Sequence, residues 1–450
     1  MCWEVFPVRW FDEYLNKVAQ QIRVKRIRQP LLQELEDHML LQKNAYLDEG
    51  LSENEAEKRA IAAMGDALLV GGELDRVHRP QTHWNGIILA LFFIVLGLLL
   101  QWLLGTIDFD LLNCVFAVFG AGIILLVGMT DYTFWQKLTF PALGAWLLLW
   151  LWRIYSMSAS LTSPVNIAIH HFLTMPMIYP VYRVLFMITP ECLSVAAPLL
   201  TAFLITRLRG GKHGSFALCA AVPLSVMLLA LKYQNTGYND SAMMVMSLIG
   251  FAVLLIAICR GFFGINRKGS VILIAALSVF PLYHFIAELV MWLNSDQPYF
   301  QQMLELLRAS KLIGRGAEVP GITDIVQLAP DLSEELLILI IYRFGWIPFA
   351  VLILGMVGVL ARCFVRFIRM ENRMGGLLGL AATLTLSAQV ALYCINNFTC
   401  YTEYLCLPLV SIGNAMLAID AVLVGIMLSA LRGQNLPEAI RYHTVNPKSA

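Results

Sequence analysis

Charged residues are scarce in this chain: they make up 14% of its 450 positions, whereas 58% of the positions are hydrophobic. Soluble domains carry about 25% charged and about 45–50% apolar residues. The 32 Lys and Arg residues nearly balance the 31 Asp and Glu residues, so the chain is not basic enough to predict binding to nucleic acid. The composition argues against an ordinary soluble enzyme and predicts an integral membrane protein in contact with lipid.

Several motifs of soluble-type enzymes are missing as well. There is no P-loop, no dinucleotide-binding fingerprint and no nucleophile elbow. The nine cysteines are scattered without C-x-x-C or Cys/His spacing, so their spacing predicts no metal ligands. No signal-peptide layout opens the chain, because Arg9, Asp12, Glu13 and Lys17 interrupt the first apolar residues. We therefore expect the N-terminus to be cytoplasmic.

Residues 1–83 concentrate charge and contain no apolar run of membrane length. They predict a small cytoplasmic helical domain. Its first clear helix should have Pro30 in the first turn, where proline is tolerated. A capping box at Ser52-Glu-Asn-Glu55 should begin the next helix, which should end at Gly65. A third helix should then run over residues 66–77.

From Trp84 onward, apolar stretches of about the 20 residues that a bilayer requires recur ten times. The expected spans are residues 85–105, 111–129, 138–156, 190–207, 215–232, 240–259, 270–293, 334–361, 376–399 and 405–431. Basic residues recur in alternate connections, at 207–212, 260–268 and 362–373, which is the positive-inside pattern. The sequence thus predicts an all-α, polytopic fold of about ten transmembrane helices over residues 84–432. Both termini, including the tail at 433–450, should be cytoplasmic.

Two connections expected on the outer side are long, at residues 153–190 and 294–333. Long loops frequently carry function. The second is followed by Glu334 and Glu335, directly before an apolar span, so two carboxylates would lie at the membrane surface. Capping of a helix dipole explains such acids without catalysis. The same two interpretations apply to Glu191, which opens another helix, and both stay open.

Several ionisable side chains fall inside expected spans, among them His284, Glu288, Arg343 and Asp420. Ionisable groups in hydrocarbon are costly, so residues of this kind are functional candidates. Pairing with another buried polar group is the alternative that requires no function.

Five segments share patterns with one family of bacterial membrane proteins. One of them, Asp131-Tyr132 shortly before Gln136-Lys137-Leu138, is similar to an inner D-Y-x-x-L-x-K-L connection. Leu407-Pro-Leu-Val-Ser-Ile-Gly-Asn-Ala-Met416 is similar to L-P-F-x-S-Y-G-G-S-S, and Leu312-Ile-Gly-Arg-Gly316 resembles a G-K-G-L-G turn. Pro330 to Trp346 aligns without a gap onto P-E-x-H-T-D-F-I-F-x-x-x-x-E-E-x-G, and Thr189-Pro-Glu191 loosely matches P-S-E-x-x-K. These patterns resemble the FtsW/RodA/SpoVE proteins of shape, elongation, division and sporulation. Residues 46–66 look like a prefix module found on clostridial members and on some permeases.

The resemblance implies a ten-helix glycosyltransferase in the bacterial plasma membrane. Family members polymerise lipid II, an undecaprenyl-pyrophosphate-linked glycan precursor, usually beside a class B penicillin-binding protein. The family's catalytic Asp falls on Glu334. Substrate contacts are expected at Glu191, Arg315, Lys311, Ser411 and Gly413. The carboxylate would act as a general base or anchor a divalent cation such as Mg²⁺ or Mn²⁺, although the sequence itself identifies no cofactor.

The chain departs from the family pattern around this expected site. Glu334 replaces Asp and displaces the carboxylate by one methylene, and misplacement by about 1 Å can cost roughly 100-fold in rate. The family's Lys falls on Ser194, and its second Gly falls on Asn414. Three hypotheses follow: an active lipid II polymerase, a catalytically degenerate scaffold that binds a penicillin-binding protein, and a lipid or solute transporter.

Overall fold

Every regular secondary-structure element in the described residues is an α-helix. The computed structural model describes residues 10–78, 81–104, 111–158, 189–233, 241–293, 298–319, 336–399, 405–411 and 415–434. The predicted all-α class is confirmed for these residues. The chain divides into two compact units, one formed by Met1–Gln81 with Arg432–Ala450 and the other by Thr82–Leu431.

The first unit contains four helices: α1 (Trp10–Gln21), α2 (Lys25–Asp48), α3 (Glu53–Met64) and α4 (Ala67–His78). The predicted capping box at the start of α3 is present, because the Ser52 side chain accepts the Glu55 N–H and the Glu55 carboxylate accepts the Ser52 N–H. Gly65 follows the end of α3 with φ of 83°, a conformation that glycine adopts without strain. Local side-chain chemistry therefore sets both ends of α3.

Helix α2 begins earlier than the sequence predicts. Pro30 is expected in its first turn but lies in its second, since the helix starts at Lys25. Ile27, before the proline, is only 2% exposed, and Arg28 Nη2 donates to Ile22 O at 2.7 Å. Burial of Ile27 and this bond stabilise the extra turn, which Pro30 weakens by the loss of one N–H donor.

The second unit carries the membrane helices. Six helices within the described residues are long and apolar enough to cross a membrane: Trp84–Leu104, His213–Leu231, Ser241–Cys259, Arg267–Met291, Trp346–Ile368 and Arg373–Phe398. Two further apolar stretches, Cys114–Met129 and Thr139–Trp152, are shorter. The chain is therefore a membrane protein by the length and composition of its helices, and the total of ten spans stays a prediction.

The helices of this unit differ greatly in burial. In order they are α5 (Trp84–Leu104), α6 (Leu111–Met129), α7 (Tyr132–Lys137), α8 (Thr139–Ser158), α9 (Pro190–Arg207), α10 (His213–Tyr233), α11 (Ser241–Cys259), α12 (Arg267–Leu293), α13 (Pro298–Ala309), α14 (Leu336–Phe344), α15 (Trp346–Ile368), α16 (Arg373–Thr399) and α17 (Met416–Arg432). About two thirds of the apolar window of α16 is buried, against 11% for α15. Helix α9 is buried along nearly its whole length. Helices α9, α11 and α16 thus form the centre, and α15 presents most of its surface outward.

Two expected spans are not continuous helices. Residues 334–361 contain two helices, α14 and α15, which are separated at Gly345 with φ of 104°. Within the described part of residues 405–431, segment 405–411 is not helical and the helix begins at Met416. The expected span over residues 334–361 is therefore interrupted, and the last expected span begins with a non-helical segment. The apolar composition continues across each break, so hydropathy alone does not reveal it.

A turn at residues 311–316 completes the break between α14 and α15. The Gly314 N–H donates to Phe344 O at 2.8 Å, and the Ile347 N–H donates to Leu312 O at 3.0 Å. A Cβ added at Gly345 would lie 2.5 Å from Leu312 O, so only glycine fits there. These hydrogen bonds use backbone groups that helix ends otherwise leave unpaired, and they stabilise the break.

The connections rich in basic residues meet at one end of the membrane unit. The Gly210 N–H donates to Phe262 O at 2.9 Å, which joins the α9–α10 connection to the α11–α12 connection. Arg260 Nη2 donates to Ile368 O at 3.1 Å, at the C-terminal end of α15. We call this the basic end. Its three connections are those that the charge pattern assigns to the cytoplasm, and their membrane side stays a prediction.

Candidate functional site

Two predicted site residues, Glu334 and Gly413, lie outside the described residues. Helix α14 begins at Leu336, two positions after Glu334, and the described segment 405–411 ends two positions before Gly413. The N-terminal end of α14 and segment 405–411 therefore flank both residues in the chain. We take these two features as the candidate site.

The N-terminal end of α14 lies inside the helical bundle. Leu336 is fully buried and belongs to one hydrophobic cluster with Met356 of α15, Val390 of α16 and Val410 of segment 405–411. The buried Leu336 N–H donates to Tyr393 Oη at 3.2 Å. Because an unpaired buried N–H costs about 1–3 kcal/mol, Tyr393 stabilises this end of the helix.

Tyr393 also joins α14 to segment 405–411. Its hydroxyl hydrogen-bonds the side chains of Asn397 and Ser411. Ser411 Oγ accepts the Leu407 N–H at 3.1 Å, and Ser411 is 2% exposed. The predicted substrate contact Ser411 is therefore a buried group with protein partners, linked through Tyr393 to the helix that Glu334 precedes in the chain.

Segment 405–411 is irregular backbone buried in the membrane unit. Leu409 has φ of 63°, a left-handed conformation that costs a non-glycine residue about 1–2 kcal/mol. Its N–H hydrogen-bonds Asp420, and Gln389 Nε2 donates to Asp420 Oδ1 at 3.0 Å. Gln101 Nε2 donates to Val410 O at 2.7 Å. Irregular backbone at membrane depth requires polar partners of this kind, and strained backbone clusters at functional sites.

Glu191 is a second buried acid in this region. It lies in the first turn of α9 and is 2% exposed. Thr189 is the N-cap of that helix, since its Oγ1 accepts the Cys192 N–H at 3.4 Å. Cys192 is within electrostatic range of both Glu191 and Asp420. Two of the carboxylates expected from the sequence therefore lie in the same interior region, one on α9 and one on α17.

The predicted cations Lys311 and Arg315 lie at the other end of α14. Both are exposed in the turn that hydrogen-bonds Phe344 and Trp346. The nine residues of α14 extend over about 12 Å, so the turn and Tyr393, which links Ser411 to α14, contact opposite ends of the helix. Lys311 and Arg315 are therefore connected to Ser411 through α14, and the backbone of the turn does not lie beside that of segment 405–411.

The ionisable pair of α12 has a partner on another helix. His284 Nδ1 lies 3.7 Å from the Glu288 carboxylate. The Ser241 hydroxyl donates to the same carboxylate, and Ser241 is the first residue of α11. Pairing with a buried polar group, the alternative without a function, accounts for both ionisable residues.

The described part of the chain offers no set of metal ligands. Among its His, Cys, Asp and Glu side chains, no three lie close enough together to hold a metal ion. The described residues alone therefore do not form a binding site for the divalent cation that the family resemblance suggests as a cofactor. We assign no chemical step to a metal.

Sequence reasoning missed three residues of the candidate site: Tyr393, Gln389 and Gln101. Each is a polar side chain within an otherwise apolar helix, and that feature would have selected all three. Leu409 carries no such signal, because an apolar side chain does not reveal a left-handed backbone.

Comparison with known proteins adds no family to this picture. The sequence matches no protein-family model and no curated protein. The relation to the FtsW/RodA/SpoVE family therefore stays a prediction, and function has to be inferred from the residues of this chain.

Proposed function

We propose that this chain is a membrane glycosyltransferase of the FtsW/RodA/SpoVE type that polymerises lipid II for cell-wall biogenesis in division or shape control. One observation supports this most: two widely separated segments that resemble family motifs both contact α14. The turn at 311–316 binds its C-terminal end, and Ser411 is linked through Tyr393 to its N-terminal end. Both segments are therefore tied to the same short helix, one at each of its ends, which supports a common function for the two.

In this proposal the Glu334 carboxylate is the general base. It accepts the proton of an acceptor sugar hydroxyl as that oxygen attacks the anomeric carbon of the sugar carried on undecaprenyl pyrophosphate. The bond from the anomeric carbon to the pyrophosphate oxygen breaks, and the pyrophosphate leaves with the electron pair. General bases contribute about 10²–10⁴-fold to a rate. Leu336, two residues further along the chain, is buried in the bundle.

Lys311 and Arg315 have a different role in the proposal. The length of α14 separates their turn from its buried end by about 12 Å, which is too far for a cation acting on the reacting bond. Both side chains are exposed, so they are suited to attract the pyrophosphate of incoming lipid II. We therefore assign them to substrate entry and expect their loss to raise KM more than it lowers kcat.

The membrane setting of the proposal is the bacterial plasma membrane, with both termini in the cytoplasm. Support comes from the basic end, where three connections carrying Lys and Arg meet. The break at Gly345 lies at the opposite end of α15 from this basic end, which agrees with an outward-facing site.

The test is reconstitution of the full chain on fluorescent lipid II, with and without its cognate class B penicillin-binding protein. Glu334→Ala should lower polymer formation by about 100-fold or more, whereas Glu334→Asp should retain it. The matched control is Glu318→Ala, which removes an exposed acid from the same connection and should leave polymer formation unchanged. Wild-type levels of polymer from Glu334→Ala would refute the catalytic role.

A scaffold that binds a penicillin-binding protein is the second candidate, and one observation favours it. Helix α15 exposes apolar side chains, among them Val351 and Leu354. Beside α16 it borders a groove of about 330 Å³ lined by Ile353, Phe364 and Ala391. A single apolar transmembrane helix is complementary to such a surface. Stable co-purification of the partner with no polymer under any condition would favour the scaffold, and label crossing the bilayer without polymer would favour a transporter.

A further inference from the structure

An apolar groove lies between α5, α15, α16 and α17. Its cavity has a volume of about 120 Å³, and its lining residues are apolar. Gly86, Ala90 and Phe93 of α5 line one side, and Val359 and Cys363 of α15 line another. Apolar cavities of about this size stay dry and accept apolar ligands. In a membrane, the molecule at hand to fill the groove is a lipid hydrocarbon chain.

Two basic side chains lie beside one end of this groove. Arg366 follows Cys363 by three residues on α15, so both lie on the same face of the helix. His83 precedes Gly86 by three residues, and its Nε2 lies 3.1 Å from the carbonyl oxygen of Leu431, another lining residue. Arg366 is within electrostatic range of both His83 and Cys363. An apolar slot with a cation at its end has the two parts that an anionic lipid requires.

Arg366 is the group that carries this positive charge. Burial lowers the pKa of His83 below its ordinary value, and the nearby Arg366 lowers it as well. The His83 ring is therefore neutral at pH 7. Arg366 is exposed, and its planar guanidinium matches the geometry of a phosphate.

We propose that the groove binds one anionic phospholipid, with an acyl chain between α5 and α15 and its phosphate at Arg366. The lining of α5 from Gly86 to Phe93 is about 10 Å long, which fits within the roughly 15 Å of one leaflet, half of a ~30 Å core. An acyl chain has a suitable length. An undecaprenyl chain is several times longer than the groove, so a phospholipid fits better than a polyprenyl phosphate.

The far end of the groove reaches the candidate site. Pro408 and Leu409 line it, and Leu409 is the residue with a left-handed backbone. A bound acyl chain fills the space behind this strained segment and restores the packing that an empty cavity lacks. The lipid is therefore a structural ligand that supports segment 405–411 from the basic end of the unit.

Native mass spectrometry of the full chain, released from nanodiscs, tests this inference. The probes are dioleoylphosphatidylglycerol, dioleoylphosphatidylcholine and undecaprenyl phosphate. Wild-type protein should retain one phosphatidylglycerol in preference to the other two lipids. Arg366→Gln should weaken this binding about fivefold, because a basic residue near the membrane surface contributes about that factor. Ala90→Phe, which fills the groove and keeps Arg366, should also weaken it.

Arg267→Gln is the matched control. It removes an exposed basic side chain at the start of α12, also at the basic end, and it contributes nothing to the groove. This variant should retain phosphatidylglycerol like the wild type. Three results would each overturn the proposal: equal retention of phosphatidylcholine, preferred retention of undecaprenyl phosphate, or binding of a second copy of the chain in place of lipid. So would unchanged binding in Arg366→Gln, which changes an exposed residue and keeps the groove intact.

Discussion

Replacing Gly97 by alanine should displace the segment that carries Ser411. Gly97 of α5 is buried against Val410, and an added Cβ would lie 2.8 Å from Val410 C and Cα and closer still to its oxygen. Ordinary contact begins near 3.4 Å, so the segment must move by roughly 0.6 Å or more. Val410 O also accepts the hydrogen bond from Gln101, one turn along α5. Overpacking costs about 1–3 kcal/mol, and loss of that bond costs about 0.5–1.5 kcal/mol.

The assay is thermal unfolding of the full chain in mild detergent, followed by polymer formation at a temperature where the variant is folded. We expect a clearly lower unfolding temperature and up to ~100-fold less polymer, since a shift near 1 Å can misplace reacting groups by that factor. Gly122→Ala on α6 is the control, because no atom lies within 4 Å of its added Cβ. If the two variants unfold together and polymerise equally, the close approach of Gly97 and Val410 is wrong.

Two further predictions concern Tyr393 and the capping box. Tyr393→Phe removes the acceptor of the Leu336 N–H and should lower the free energy of unfolding by about 1–3 kcal/mol. Tyr283→Phe, at an exposed site on α12, should not, and equal melting curves would contradict the role of Tyr393. In the first unit, hydrogen bonds from Ser52 lower the pKa of Glu55. The stability that these bonds give to α3 is therefore complete at pH values above the ordinary pKa of 4.5, and it is lost as the pH falls through the lowered pKa. Hydrogen exchange of the first turn of α3, corrected for intrinsic rates, should show this pH dependence in the wild type and a reduced dependence in Ser52→Ala, which keeps the backbone N–H bond to Glu55; the same dependence in both would argue against the capping box.

Features set by a few neighbouring residues could be predicted from the sequence. The capping box of α3 is formed within four consecutive residues. Gly65 ends the helix because a residue without a side chain adopts a positive φ without strain. The meeting of the basic connections also agrees with the charge pattern, because alternate loops of an antiparallel bundle share one end. These inferences require no knowledge of which helices touch.

The breaks at Gly345 and before Met416 could not be predicted from hydropathy, because the residues on each side are equally apolar. Helix α14 resembles the start of a span in composition, yet it is a separate buried helix of nine residues. Its limits depend on the turn at 311–316, which lies more than twenty residues earlier in the chain. Such long-range hydrogen bonds leave little trace in the local sequence beyond the glycine itself.

The conformation of segment 405–411 rests on a small balance of energies. The left-handed Leu409 costs about 1–2 kcal/mol. Against this, its N–H bonds the Asp420 carboxylate, and Gln101 bonds the neighbouring Val410 O. Each such hydrogen bond contributes about 0.5–1.5 kcal/mol. The two anchors and the strain are therefore close in free energy, and binding of a ligand can reverse so small a difference. A segment with this margin is stable enough to hold Ser411 in place and can still move when a ligand binds.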